Sequence, residues 1–331
     1  MSTYLVCVPH SPILMCYARE PTEHAAIQAA YARQVEAVRA FDPEVVILFG
    51  PDHYSGFHLD CMPAQCIGLR CRAVNDIGGF PGDFKVPEDE AIGLIDHLRA
   101  EGFDPAVSHS MTVDHGFSQP AHRILGAVDA YPVIPIFINV MAPPLQPFDR
   151  TRRFGAAVGS MPLLRQKRVL VMGSGGMSHH PTRYFPIVGQ GDDKVTKWQL
   201  AGDRGGTFTE EEWLERLRAM HLEGAEMLTN GMRTREDIHL NPDFDRRFLD
   251  IFTTGNIQAF DTWKPEAVVA EAGIGSLELH TWIAAAAAHA EALGARPRTA
   301  IYADTLEYGI GFGMVYGTPA QKRGTLPTLK D

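Results

Sequence analysis

Cysteine is scarce in this 331-residue chain, with five in all, and an odd number in so long a sequence gives no disulfide framework. Cys61, Cys66 and Cys71 lie five residues apart, which matches neither C-x-x-C nor ferredoxin spacing. Free thiols in a reducing compartment are therefore expected. Positive charge is also short: 30 Lys and Arg against 40 Asp and Glu leave a net charge of −10. That balance argues against a nucleic-acid or anionic-membrane surface, both of which favour clustered basic residues. No apolar run approaches the roughly 20 residues of a membrane span. The Ala284–Ala288 run is too short and reads as part of an amphipathic helix. The opening MSTYLVCVPH has no charged n-region and enters a strand pattern directly, so no signal peptide and a cytoplasmic location are expected. H-E-x-x-H, clustered cysteine ligands, internal repeats, low-complexity tracts and a linker rich enough to divide the chain are also missing, which disfavours a protease or structural zinc site.

What is present is the patterning of an ordinary globular protein, 45% hydrophobic and 21% charged. Through residue 180, apolar strand patterns at 5–8, 44–49, 59–67, 106–108, 133–138 and 168–172 alternate with helical ones at 25–41, 88–100, 118–126 and 150–158. From 195 to 291 the pattern is mostly helical, at 209–228, 243–252 and about 276–293, before two strands at 299–303 and 311–316. This predicts an α/β fold: a single domain over 1–331 with a central mixed sheet flanked by helices and a helical excursion in the C-terminal half. A division near residue 190 is the alternative.

The stretch Val169–Tyr184, VLVMGSGGMSHHPTRY, offers two readings. A phosphate cradle needs a glycine-rich turn that opens a helix, but the order here fits neither G-x-G-x-x-G nor G-x-x-x-x-G-K-[ST], and Pro181 follows at once. The alternative is a loop that presents a histidine. The fourteen histidines sort accordingly. His24, His97, His122, His221, His239, His280 and His289 lie in helical, polar stretches, where a solvated face or a satisfied hydrogen bond explains them. His58 and His109 have no partner nearby in sequence. By contrast His10, His53, His115 and His179 each follow the carboxyl end of a hydrophobic strand, the place where α/β sheets bind ligands. Four such imidazoles point to a metal or to acid–base chemistry, and a carboxylate from elsewhere would complete a two-histidine, one-carboxylate face suited to non-haem Fe(II). Asp52 and Asp114, adjacent to histidines, suit supporting roles.

The segments HSP at 10–12, FGPDHY at 49–54, VDHGFSQP at 113–120, PVIPIFIN at 132–139 and GSGGMSH at 173–179 together resemble the class III extradiol ring-cleavage dioxygenases. This is the superfamily of the protocatechuate 4,5-dioxygenase catalytic subunit. The likeness extends through NPDFD at 241–245 and LELHTWIAAAAA at 277–288, and it is weakest between about 181 and 235. The resemblance implies an Fe(II) enzyme that opens a catechol with O₂ and needs no nicotinamide or flavin. It assigns His10, His53 and Glu278 to the metal, with Glu271 outside the motif. It makes His179 the proton acceptor, His115 the proton donor and His180 incidental. The implied partners are a small catechol, most closely one with a propionate at position 3, and O₂, in a homo-oligomer. Arg70, Arg72 and Arg183 are candidates to meet the side-chain carboxylate. A zinc hydrolase on the same fold, and a metal-binding protein without activity, are the competing readings.

Overall fold

The computed structural model describes residues 2–320, so the extreme ends of the expected 1–331 span lie outside the described residues. The described residues form eleven strands: β1 (Ser2–Val8), β2 (Val45–Gly50), β3 (Gln65–Gly68), β4 (Cys71–Ala73), β5 (Gly82–Asp83), β6 (Ala106–Ser108), β7 (Met111–Val113), β8 (Val133–Ile138), β9 (Arg168–Ser174), β10 (Arg298–Thr305) and β11 (Ile310–Gly317). Eight form a mixed sheet in the order β10-β11-β1-β9-β2-β8-β3-β6, and β5-β4-β7 form a small second sheet. The centre, β1-β9-β2-β8, is parallel throughout, while β11 and β3 run antiparallel to their inner neighbours.

The strands read as continuous apolar runs because the central sheet is covered on both faces. Leu5, Cys7, Ile47, Phe49, Ile134, Ile136, Val169 and Val171 enter one core, with the helices Glu88–Ala100, Phe148–Ser160 and Leu279–Glu291 above them. The alternating Tyr4, Val6, Val8, Val46, Leu48, Leu170 and Met172 enter the other, against His24–Phe41 and His115–Leu125. The helical excursion adds Asp193–Ala201, Glu210–Asn230, Pro242–Thr253 and Pro265–Ala272, and its Trp213, Phe244 and Phe248 join the first core.

Several local expectations are corrected. The single strand expected at 59–67 is a 3-10 turn, Leu59–Cys61, followed by the short β3. The small second sheet and the helices Asp193–Ala201 and Pro265–Ala272 were not expected. The alanine-rich helix is not amphipathic: Leu279 to His289 are all buried. A helix apolar all round belongs inside a protein, and here the alanines admit a close neighbour. A methyl group at Gly155 or Gly159 would overlap the backbone of Ala284 or Ala288. Among the described residues no helix is long and apolar enough to cross a membrane.

Candidate active site

Strand register explains why distant histidines meet. In the parallel pairing Val8 lies opposite Ser174 and Phe49 opposite Gly173, so β1, β9 and β2 end at one level. His10, His53 and His179 follow these three adjacent ends, and neighbouring strands are only about 4.8 Å apart. His115 arrives differently. It follows β7 of the small sheet and is the first residue of the helix His115–Leu125, capped by Asp114, which accepts from the Gly116 N–H at 2.8 Å. Its ring stacks on His53 with centroids 4.5 Å apart, and His10 lies 5.3 and 5.5 Å from those two rings.

Glu278 closes the group. It ends the 3-10 turn Ile274–Glu278 and introduces the helix Leu279–Glu291. Its Oε1 lies 3.2 Å from His10 Nε2, 3.4 Å from His53 Nε2 and 3.6 Å from His179 Nε2. Its Oε2 accepts the Gly176 N–H at 2.6 Å. The glycine loop therefore gives space rather than a phosphate cradle. An added Cβ at Gly175 would sit 2.7 Å from the Glu278 Cβ, and one at Gly176 would sit 2.8 Å from His179 Cε1. Gly275 guards the other side of the same ring, because a methyl group there would overlap His179. Gly275→Ala is expected to keep its metal and lose turnover on the order of 10²-fold, the effect of displacing a reacting group by about 1 Å. Metal analysis beside steady-state rates checks this.

The Nδ1 partners fix how each ring presents itself. His179 Nδ1 is 2.9 Å from the Met177 carbonyl, which only accepts, so Nδ1 carries the hydrogen. His53 Nδ1 donates to Asp114 at 3.1 Å and His115 Nδ1 donates to Asp76. His10 Nδ1 lies 2.8 Å from Ser174 Oγ, whose own hydroxyl donates to the Gly116 carbonyl and so receives from His10. That carbonyl is available because Pro120, four residues on in the helix, has no N–H to offer it. All four imidazoles, when neutral, thus direct an Nε2 lone pair into the cleft. Three of them crowd one buried carboxylate oxygen. Lone pairs and a carboxylate packed this closely need a cation or protons between them, and neutral imidazole plus carboxylate is the donor set of divalent transition metals. The residues fit a metal.

Electrostatics agree. Burial alone would raise the Glu278 carboxyl and lower the histidines, but Glu278 is held well below its ordinary value by His10 and His179. Burial is likewise overcome at His53, raised by Asp114 and Glu278, and at His179, raised by Glu278; at His10 burial prevails and the value falls. A raised imidazole stabilises the fold fully below its unfolded value of about 6.5 and loses that contribution as pH climbs through the folded value. His10 is already neutral in both states over that window. The metal-free protein is therefore expected to melt at lower temperature as pH rises above about 6.5, and bound metal is expected to flatten the trend. Calorimetry across pH, with and without metal, measures it.

The aspartates serve residues other than their neighbours. Asp114 holds His53 rather than the adjacent His115, also accepting the His53 backbone N–H at 2.6 Å. Asp52 takes three backbone N–H groups, of Ser55, Gly56 and Phe57, and shapes the loop that carries His53. The partner of His115, Asp76, was missed by sequence reasoning; its segment carries no motif. The NPDFD segment explains itself as loop support: Asn241 N–H donates to Ser178 Oγ, which donates to Asp245 Oδ2, beside His179.

The four histidines and Glu278 face one cleft. It is also lined by His180, Tyr184, Phe185, His221 and Arg233. His180, expected to be incidental, borders it and stacks on His239 at 4.3 Å. His221 is buried rather than solvated, donating from Nδ1 to the Leu217 carbonyl at 2.7 Å, with its pKa pushed down to about 3 by burial. His280 and His289 are buried too, bonded to Thr151 and Thr3 and turned away from the site. None of the arginines singled out from sequence lines this cleft. Arg70 and Arg72 border a separate surface groove, where Arg72 pairs with Glu210, and Arg183 pairs with Glu223. Arg233, in the least motif-rich segment, lines it instead.

Relatives carry names that match this geometry. A protein of Rhodococcus rhodochrous named 2,3-dihydroxyphenylpropionate/2,3-dihydroxicinnamic acid 1,2-dioxygenase is 39% identical over 86% of this chain and 88% of its own. Proteins of the same name from Burkholderia vietnamiensis and Escherichia coli are 36% and 38% identical, covering 93% and 95% of this chain and 92% and 98% of theirs. The family model described as the catalytic LigB subunit of aromatic ring-opening dioxygenase matches residues 4–313. With that match spanning all five converging side chains, the chain belongs to the LigB family of aromatic ring-opening dioxygenases.

Proposed function

We propose that this protein is an Fe(II)-dependent extradiol dioxygenase for a 3-substituted catechol, namely 3-(2,3-dihydroxyphenyl)propionate and 2,3-dihydroxycinnamate, the compounds in its relatives' names. The propionate would yield 2-hydroxy-6-oxonona-2,4-dienedioate. The observation that carries the reading is the meeting of three Nε2 atoms on one Glu278 oxygen, beside a fourth imidazole.

His10, His53 and Glu278 would hold the iron. The two rings are 3% exposed and Glu278 is 2% exposed, and each is fixed from behind by Ser174, Asp114 or Gly176. Bound there, Fe(II) would supply Lewis acidity and a redox-active centre for the reaction of catechol with O₂. The remaining two histidines face the cleft with different backing. His179, at 10% exposure the most open of the set, has only a neutral carbonyl behind it and keeps Nε2 available to accept a catechol proton. His115 has the Asp76 carboxylate behind its Nδ1, which fixes the ring with Nε2 toward the cleft, where it would serve as the proton donor. Phe185, 4.9 Å from the His53 ring, and Ile310 supply apolar surface against an aromatic substrate and limit the entry of water.

Anaerobic reloading with Fe(II), followed by oxygen uptake on 3- and 4-substituted catechols, tests the assignment. One O₂ consumed per 3-substituted catechol, with no turnover in the zinc-loaded protein, is the expected result. Turnover that continues without O₂ would instead indicate a hydrolase.

A further inference from the structure

Arg233 stands at the end of an aromatic wall that begins at the candidate metal site. His53 lies 4.9 Å from Phe185, Phe185 lies 5.9 Å from His221, and His221 stacks on Tyr184 at 3.8 Å. The Arg233 guanidinium is 5.8 Å from the Tyr184 ring and donates to its hydroxyl at 3.2 Å. Gly224 makes room for that hydroxyl, since a methyl group there would overlap it. Tyr184 is thus wedged between helix and cleft, and the guanidinium is held with it.

Charge accounting singles out this side chain. Among the described residues, Arg233 is the one Lys or Arg that lines the cleft. Among the described residues it forms no ion pair, whereas Arg72, Arg183 and Arg235 each face a carboxylate. Of the two acidic groups nearest in sequence, Glu236 and Asp237, neither forms an ion pair with it, and Asp237 is taken up by the Thr234 N–H and hydroxyl at 2.7 and 2.9 Å. The imidazoles alongside bring no competing charge: burial and neighbouring cations keep His180 neutral down to about 4 and His221 down to about 3. A half-buried guanidinium facing a ligand cleft, with a hydroxyl as its only polar side-chain partner among the described residues, is a site for a carboxylate.

We infer that Arg233 anchors the carboxylate of the substrate side chain, so that it selects catechols with an anionic group at position 3 over neutral ones. The inference rests on the catechol reading above for the identity of the substrate. The aromatic rings between Arg233 and His53 match an uncharged aryl and methylene segment, and the two polar ends of the ligand then face the two polar ends of the wall.

The test compares the Fe(II)-loaded wild type with Arg233→Met and Arg233→Lys on 3-(2,3-dihydroxyphenyl)propionate and on its neutral counterpart, 3-propylcatechol. Loss of a charge-assisted hydrogen bond should raise KM for the propionate roughly 10–100-fold in Arg233→Met, with kcat changed by less than about threefold. KM for 3-propylcatechol should hold, which also shows that the variant is folded, and Arg233→Lys should recover part of the loss. Equal effects on both substrates, or none on the propionate, would overturn the inference. A second readout is calorimetric binding of 3-phenylpropionate, which has the carboxylate but no catechol. Wild type should bind it and Arg233→Met should not. If wild type opens neither catechol, the functional reading fails, and 3-phenylpropionate binding still decides the anchor: retention in Arg233→Met, or no binding to wild type, removes it.

Discussion

His179→Gln and His115→Gln are each expected to lose turnover by about 10²–10⁴-fold while keeping the metal and still binding catechol anaerobically. Neither ring belongs to the proposed ligand set, and the two losses should differ in kind. His179 is backed by a carbonyl and suits a proton acceptor. Its removal should raise the pH at which bound catecholate forms, and an electron-poor, pre-ionised catechol should recover part of the rate. His115 is backed by Asp76 and suits a proton donor. Its removal should leave catecholate formation intact and stop the reaction after O₂ arrives. His180→Gln should be nearly silent, because that ring meets the Ile274 N–H and His239 rather than Glu278. Anaerobic optical titration against pH, with oxygen uptake, distinguishes all three. If either of the first two variants arrives without metal, the division between ligands and acid–base residues is wrong. If His180→Gln is the damaging change of the adjacent pair, the loop presents its second histidine.

Glu278→Gln is expected to weaken metal binding by at least about 10²-fold, more than the loss typical of a supporting residue, because a neutral amide replaces the anion on which three imidazoles converge. Glu271→Gln should leave metal affinity unchanged. Glu271 lies half-exposed on the surface, where it pairs with Arg247 at 2.7 Å, and exposed pairs contribute only about 0–1 kcal/mol. Equilibrium dialysis of the two variants against a metal buffer measures the contrast, and equal losses would displace Glu278 from the site.

How far the sequence revealed this arrangement depended on the kind of signal each residue carries. β8 and the helix Glu88–Ala100 were legible to the residue, because an unbroken VIPIFI run and a clean apolar stripe leave little alternative. His10, His53 and His179 were legible because each lies within a few residues of a strand's carboxyl end, and register then brings three neighbouring strand ends together. The helix carrying His115 starts three residues before its expected start, since Pro120 tolerates an interior place there while its missing N–H frees the Gly116 carbonyl for Ser174. Asp76, His221 and Arg233 were not legible as site residues. Each reaches the cleft through packing between segments far apart in sequence, and neither spacing nor periodicity encodes that. The reverse error has the same source: Arg70, Arg72 and Arg183 carry the right charge, but their neighbours in space are a surface groove and two glutamates.

The central claim is that these five side chains support insertion of O₂ into a catechol ring, and ¹⁸O₂ labelling tests it most directly. The Fe(II)-loaded protein would be given 3-(2,3-dihydroxyphenyl)propionate under ¹⁸O₂, with the product reduced promptly by borohydride to prevent exchange of its ketone oxygen with water. Mass spectrometry should then find two ¹⁸O atoms in each ring-opened product. A product containing no ¹⁸O, or a hydroxylated ring that remains closed, would contradict the account.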